Sequence, residues 1–532
     1  MIQTPDELFL YDRPSDRAPE INIWAAFPAI YSFGMSSLGY LSIFKRLDRR
    51  PDYYVERIFT DTKTTQIPLS DVDLMCFSFS FEIDFLGMFK IFERFKIPFL
   101  AKDRDENFPL IFAGGPVLTA NPEPFCEFFD FIIIGDAELM DTTVVDVVKT
   151  NRNLPKSEIL KLLSKVEGIY VPSLTEYDEN TRTVTIDGKP LEVQKISANL
   201  GGCITTPIIS EKSYFSDTFI IEIARGCSQR CGFCLASYLN LPARFVSFDE
   251  IVKSIDFGLQ YTKKIALLGA LISAHPDFEK ICEYILKKKE EIPELEMSVS
   301  SLRADTITPL IVKTLAACGQ RHSTIAIEAG SERLRKVINK NLSEEEIFNA
   351  VKIASENGLT GFKIYAMIGH PTETMEDIKE LVDLAKKLKK TFKNFDFTYS
   401  FATFVPKAHT PFQFCERESA KSLEKKYNYL KKHFHQLGIK IRCSSVNWDY
   451  YQALLSRGDR RLCKYLIEVY KDGGNLGAFK QAYKKMRQKR LLPAADDFAI
   501  SEIPFERGLP WNFIKTMPGA DALIRENQRL LK

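Results

Sequence analysis

The stretch FIIEIARGCSQRCGFC, residues 219–234, sets the reading of everything around it. Phe219–Ala224 is a short apolar run of the kind that forms a covered strand. The loop that follows carries Cys227, Cys231 and Cys234 in the spacing Cys-x3-Cys-x2-Cys. Three thiolates on one short loop can hold three irons of a cubane 4Fe–4S cluster and leave the fourth iron without a protein ligand. Two blander alternatives stand beside it, a zinc site and three structural cysteines. Zinc takes four ligands in a structural site, or three and a water in a catalytic one. No His or further Cys follows at zinc-knuckle spacing, and the first His of the chain is His275. The position of the loop, directly after a strand, favours the cluster.

Outward from this loop, residues 215–405 repeat strand and helix six times. The strands read FIIEIA (219–224), KIALLG (264–269), MSVSS (297–301), TIAIE (324–328), GFKIYAM (361–367) and FTYSFATF (397–404). Charged helical stretches such as DEIVKSIDFGLQY and SEEEIFNAVKIASENG lie between them. The second of these has a Ser to cap it, acids in its first turn and a Gly to stop it. Such alternation implies parallel strands with right-handed crossovers and a site at their carboxyl ends. Six units rather than eight predict a partial (β/α)6 barrel, open on one side.

Upstream, INIWAAF (21–27), VDLMCFSFS (72–80), PLIFAGG (109–115) and FDFIIIGD (129–136) are continuous apolar runs. These are the mark of parallel strands covered on both faces, hence a doubly wound α/β layer with ligands beyond the strand ends. A polar segment, residues 169–193, reads as hairpins. Residues 416–532 read as helices with 24 Lys and Arg against 13 Asp and Glu. The expected division is therefore 1–165 Rossmann-like, 166–214 hairpin linker, 215–415 barrel and 416–532 a helical basic region.

Composition excludes little. The net charge of the 532 residues is +2, with 45% hydrophobic and 27% charged residues, which is ordinary for a soluble globular chain. MIQTPDELFLYDRPSD is no basic-then-apolar leader, and no run reaches the ~18 apolar residues of a membrane span, so the cytoplasm is the expected address. Eleven cysteines without regular spacing argue against a disulfide framework. Cys76, Cys126, Cys282 and Cys318 sit in apolar stretches as small buried hydrophobes.

CSQRCGFC in this setting resembles the signature of the radical S-adenosylmethionine superfamily, over about residues 215–405. The resemblance implies that S-adenosylmethionine chelates the open iron and that an electron breaks its sulfonium bond. A small donor of flavodoxin or ferredoxin type is implied as the electron source. Phe233 matches the family's aromatic near the adenine. Gly269 and Ala270 stand at the turn that receives the methionine amino group, without its usual acid. Ser301, Arg303 and Glu328 resemble strand-end residues for the carboxylate, ribose and amino groups, and Met367 and Gly369 those beside the adenine.

The N-terminal region resembles the cobalamin-binding domain that precedes many such barrels. Ser78, Ser80, Gly114 and Gly115 match its Ser-x-Leu and Gly-Gly positions in part. Where that family has Asp and the cobalt-ligating His, this chain has Gly34 and Ser36. Two readings stay open: cobalamin bound without an imidazole, or the fold kept without the ligand. The function expected is methyl transfer to an unactivated carbon. The alternatives are a cobalamin-free radical oxidation or rearrangement, and a non-catalytic Fe–S protein. Methylthiolation is disfavoured, because no second set of cluster cysteines precedes Cys227. The basic run FKQAYKKMRQKRLL (479–492) reads as a solvated helix face or a phosphate-docking surface, RNA included. RGDRRL (457–462) is expected to cap the open side of the barrel.

Overall fold

The computed structural model describes residues 7–139 and 141–532; the start of the stretch read for a leader lies outside them. The N-terminal sheet has six strands, β1 (Ile21–Ala26), β2 (Tyr53–Ile58), β3 (Leu74–Ser78), β4 (Leu110–Gly114), β5 (Phe131–Ile133) and β6 (Ile169–Tyr170). Their order is β2-β1-β3-β4-β5-β6, parallel throughout except for β6. The strands are apolar on both faces because both faces are covered. Ile23, Leu74 and Cys76 pack with Tyr40, Leu41 and Phe44 of the helix Leu38–Asp48. Trp24, Met75 and Phe77 instead join one core with Phe85 and Phe89 and with Leu462, Tyr465 and Phe479 of the C-terminal region. The far end of the chain thus joins the helix Asp84–Phe95 in the core on this face of its first domain.

The second sheet system follows the predicted order: β7 (Thr218–Glu222), β8 (Lys264–Leu268), β9 (Glu296–Val299), β10 (His322–Glu328), β11 (Gly361–Ile368) and β12 (Asp396–Thr403). All adjacent pairs are parallel, and a single bridge between Leu302 and Ile325 joins the β7–β9 half to the β10–β12 half. The arc does not close. A seventh parallel strand, β13 (Lys440–Cys443), extends it beyond β12, and Ile204–Thr205 pairs antiparallel on the outside of β7. The pattern reading had placed neither of these short strands. The helix Glu344–Glu356 forms with the expected Ser343 cap, made reciprocal by Glu346. Helices lie on the outside of the arc, where Ile347, Val351, Leu381 and Leu388 meet Ile325, Phe362 and Ile364.

Of residues 169–193, only 176–190 form the expected antiparallel hairpins, with Glu176–Asp178 and Lys189–Pro190 flanking Thr183–Ile186, while Ile169–Tyr170 is β6 and Val193–Gln194 pairs in parallel with Ile514–Lys515. Among the described residues, no helix is long and apolar enough to cross a membrane. Cys76, Cys126, Cys282 and Cys318 are buried as expected.

RGDRRL turns out differently from its expectation. Arg457 is fully buried and donates to the carbonyls of Phe498 and Cys415. Arg460 reaches Glu123 at 3.1 Å and the Tyr170 hydroxyl at 2.7 Å. Asp459 accepts from Tyr177 at 3.0 Å. The segment therefore fastens the C-terminal helices to the N-terminal sheet and its hairpin. Glu123 is fully buried, so its removal leaves the Arg460 charge desolvated and unpaired. Such a loss costs about 3–5 kcal/mol. Glu123→Ala should lower the thermal unfolding midpoint by about 3–4 °C, and an unchanged calorimetric trace would show that the pair does not hold this junction.

Candidate active site

The cysteine loop leaves β7 through Ala224–Arg225, at the carboxyl edge of the arc. Gly226 starts it with φ +81°, and a Cβ there would lie 2.3 Å from the Asn240 carbonyl. Only glycine fits both demands. The loop is then fastened from several sides. The Ser237 hydroxyl donates to the Cys227 carbonyl at 2.8 Å and accepts from the Arg230 amide at 3.1 Å. Tyr238 and the Asn339 amide donate to the Arg230 carbonyl at 3.1 and 2.9 Å. The Gly232 amide donates to the Ile338 carbonyl, and its own carbonyl accepts from Phe412. A Cβ at Gly232 would touch the Phe412 and Leu530 side chains at 2.8 and 2.9 Å. The loop is wedged between the fourth strand–helix unit and the last helix, Ala520–Leu530.

Cys231 is buried and Cys227 and Cys234 are half-buried. Burial pushes the Cys231 thiol up to about 12, partly offset by the Lys340 ammonium, and raises Cys234 as well. An uncoordinated thiolate is thus disfavoured here, and a metal that binds thiolate must displace the proton. No group of three or more His, Cys, Asp or Glu among the described residues is placed to hold a metal ion. By donor chemistry the residues fit a cluster.

The expected cofactor residues gather to different degrees. Arg303, Glu328 and Lys340 all lie within electrostatic reach of Cys231. Glu328 sits at a bulge in β10 with φ 67° and pairs with Lys340 at 3.4 Å. Arg303 is buried, ion-paired with Asp305 at 2.7 Å and bonded to the carbonyls of Lys340 and Asn341. Its guanidinium is therefore largely engaged within the protein. Phe233 and Met367 share an apolar cluster with Phe404, Phe412 and Leu530. Gly369 has φ +80°, and its amide donates to Glu373 at 2.7 Å. Gly269 packs closely on Ala224 and Ile272, while Ala270 is exposed and Ser301 half-buried.

Sequence reasoning missed Lys340 and Asn339, which no local pattern marks, and His370. The His370 ring lies 5.6 Å from Phe233 and 6.2 Å from Phe404. It is buried, and among the described residues neither ring nitrogen has a hydrogen-bond partner. The GHP run after a strand was its only signal.

A second feature adjoins the loop. A cavity of about 320 Å³ lies at the carboxyl ends of β3 and β4. Ser78, Ser80, Gly114 and Gly115 all line it, together with Arg225, Leu239 and Asn240 from the barrel side. No His lines it, and neither do Gly34 and Ser36. Gly34 is pressed against Phe59, and Ser36 donates to the Ser32 carbonyl at 2.8 Å. Gly115 serves the backbone first: at φ +116°, a Cβ would lie 2.3 Å from the Phe79 carbonyl. Gly114, by contrast, has room, with Ile133 no nearer than 3.6 Å.

Comparison with known proteins follows this division. The family model described as the radical SAM superfamily matches residues 221–385, and one described as the N-terminal part of radical SAM proteins matches 39–172. An uncharacterized protein of Methanocaldococcus jannaschii is 30% identical over 452 residues, 84% of this chain and 90% of the relative. An uncharacterized methyltransferase of Pyrococcus horikoshii is 24% identical over 57% of this chain, which spans only 63% of that relative. Among solved structures, the cobalamin-dependent radical enzyme OxsB with aqua-cobalamin and S-adenosylmethionine bound superposes with a TM-score of 0.53. The match covers 88% of this chain and 71% of OxsB at 16% identity, a likeness of fold.

Burial holds the His370 imidazole neutral and lowers its pKa from 6.5 to about 3. A depressed folded-state value means stability that is present above pH 6.5 and lost as the pH falls from there. Without bound cofactors, the wild type should lose about 2 kcal/mol relative to His370→Phe between pH 7.5 and 5. Parallel denaturant titrations of the two proteins check this, and equal pH slopes would show the ring to be solvated.

Proposed function

Since the chain belongs to the radical S-adenosylmethionine superfamily, whose members use a 4Fe–4S cluster and S-adenosylmethionine, we propose that it is a cobalamin-dependent enzyme transferring a methyl group to an unactivated carbon. The observation that carries this is the cavity shared between the strand ends of the N-terminal sheet and Arg225, two residues before Cys227. It puts the four residues matched to a cobalamin domain against the root of the cysteine loop. The fold likeness to OxsB, and the methyltransferase designation of the Pyrococcus relative, support the same reading. The reaction needs a small electron donor and a substrate.

When bound, the cluster supplies the electron that opens S-adenosylmethionine, and cobalamin the methyl group. The chain's own contribution is positioning and exclusion of water. Cys227, Cys231 and Cys234 would hold three irons. Phe233 and Met367 would give the adenine an apolar wall, with Gly369 at the turn that the Glu373 contact fixes. Glu328, Ser301, Gly269 and Ala270 would meet the polar groups of the methionine and ribose. Arg303 would shape the rim through its bonds to the Lys340 segment. Ser78, Ser80, Gly114 and Gly115 would receive the cobalamin tail, in a cavity that no His lines among the described residues.

Purified without oxygen, the protein should be brown with about four irons per chain. Replacing all three cysteines by Ala should remove iron and the slow release of 5′-deoxyadenosine from S-adenosylmethionine. Stoichiometric zinc in the wild type would end this reading. Gly114→Val puts its added carbons into the cavity with little disturbance of the protein, so it should keep the iron and bind cobalamin at least tenfold more weakly. Spectra of the bound cofactor should lack nitrogen ligation. Failure of wild type to bind cobalamin at tens of micromolar would leave the radical chemistry and overturn methyl transfer.

A further inference from the structure

The concave face of the barrel arc is not filled the way a closed barrel interior is, with layers of Val, Ile and Leu. Along β11, Phe362, Ile364 and Ala366 are buried toward the outer helices. Lys363 and Tyr365 alternate with them and face the concave side. Tyr365 is 39% exposed there, in the middle of an interior strand. On the edge strand β13, Ile441 and Cys443 pack on the helical side, so Lys440 and Arg442 also face inward and both are exposed.

Strand register places these side chains in two adjacent rows. Lys363, Thr398 and Lys440 are cross-strand neighbours, and so are Tyr365, Ser400 and Arg442. The Lys363 ammonium lies 4.7 Å from the Tyr365 ring centroid and 3.1 Å from its hydroxyl. Lys363, Lys440 and Arg442 make no ion pair among the described residues. Exposed inward charges on an edge strand can be explained by the need to block pairing with another chain. Lys363 has no such explanation, because its strand is paired on both sides. Glu296 and Asp396 stand on this face at its lower rim and Glu328 at its upper end, and among the described residues none of them is ion-paired with these three cations. With strands about 4.8 Å apart, Lys363 and Lys440 flank the Thr398 hydroxyl across about 10 Å, and in the next row Tyr365 and Arg442 flank the Ser400 hydroxyl. Three uncompensated cations and two hydroxyls on that scale match a phosphate group. At about 3.3 Å per residue, Lys363 lies about 13 Å and Tyr365 about 7 Å below Met367.

We propose that the substrate bears a phosphate group, held by Lys363, Lys440 and Arg442 on the concave face, with Tyr365 against the part that reaches up to the carboxyl rim. This rests on reading that rim as the place of reaction. The test uses the iron-loaded full chain and radioactive inorganic phosphate in equilibrium dialysis at low salt. Wild type should bind phosphate at one site in the millimolar range, weakening as salt is raised. Lys363→Gln and Arg442→Gln should each weaken binding at least fivefold, and together abolish it. Lys363→Arg should retain it, and unchanged thermal midpoints would show that the variants fold. Lys480→Gln, on the exposed face of a C-terminal helix, should bind as wild type does. Equal binding by wild type and the double variant would mean an adventitious ion only and would overturn the proposal, as would no binding. Deoxyadenosine release, measured in parallel without substrate, separates the two claims. Release with no phosphate site sinks this inference alone, and a phosphate site with no release sinks the proposed reaction while the anion site stands.

Discussion

The guanidinium of Arg225 carries the junction between the two α/β units. It bonds to Glu222 at 2.7 Å on its own strand, and to Glu138 at 2.6 Å and Asp136 at 3.2 Å from the N-terminal domain. Arg244 adds a further link to Asp136 at 2.8 Å. Burial alone would lower the Arg225 pKa, but the carboxylates of Glu222 and Glu138 outweigh it and raise the value. A mostly buried charge is tolerated only when its partners are this complete. The same residue stands two places before Cys227 and lines the cavity above β3 and β4. The distance between the cavity and the cysteine loop is therefore set by an ion-pair network, which holds direction as well as separation, where an apolar contact would leave both loose.

The C-terminal region extends the same logic. Its helices join the core on one face of the N-terminal sheet, and its last helix presses Leu530 on Gly232. A change at the end of the chain is thereby felt in the cysteine loop and in the first sheet. Phe479 and Tyr483 are consumed by this packing, and Trp511 is buried beneath it. They fill a core and offer no stacking platform for bases. The lysines and arginines of the same helix remain outside, on a solvated face. Cations that bear on a ligand are better sought on the concave face of the arc, where Lys363 has no structural reason to be charged.

Much of this was legible in residues 1–532 because the patterns are local. A strand followed by three closely spaced cysteines needs no tertiary contact to be read as a metal loop. Continuous apolar runs announced strands covered on both faces, and the repeat of strand and helix announced an open arc of parallel strands. Capping by Ser343 and Glu346 could be read because the partners are three residues apart. The short strand Lys440–Cys443 could not, since four residues of mixed character form a strand only beside β12.

What the tertiary structure alone decided are the relations between residues far apart in the chain. RGDRRL carries no mark of its partners, and only folding shows that Arg460 meets Glu123, more than three hundred residues away. Lys340 and His370 become members of the site because a loop between two helices and the end of β11 deliver them beside Cys231 and Phe233. The cavity between Gly114 and Arg225 exists only when both domains are assembled. Spacing along the chain is enough to mark the candidate metal loop, because a loop of eight residues constrains its own thiols. The surroundings of those thiols, and what lies across from them, depend on long-range packing and charge pairing, which no local pattern encodes.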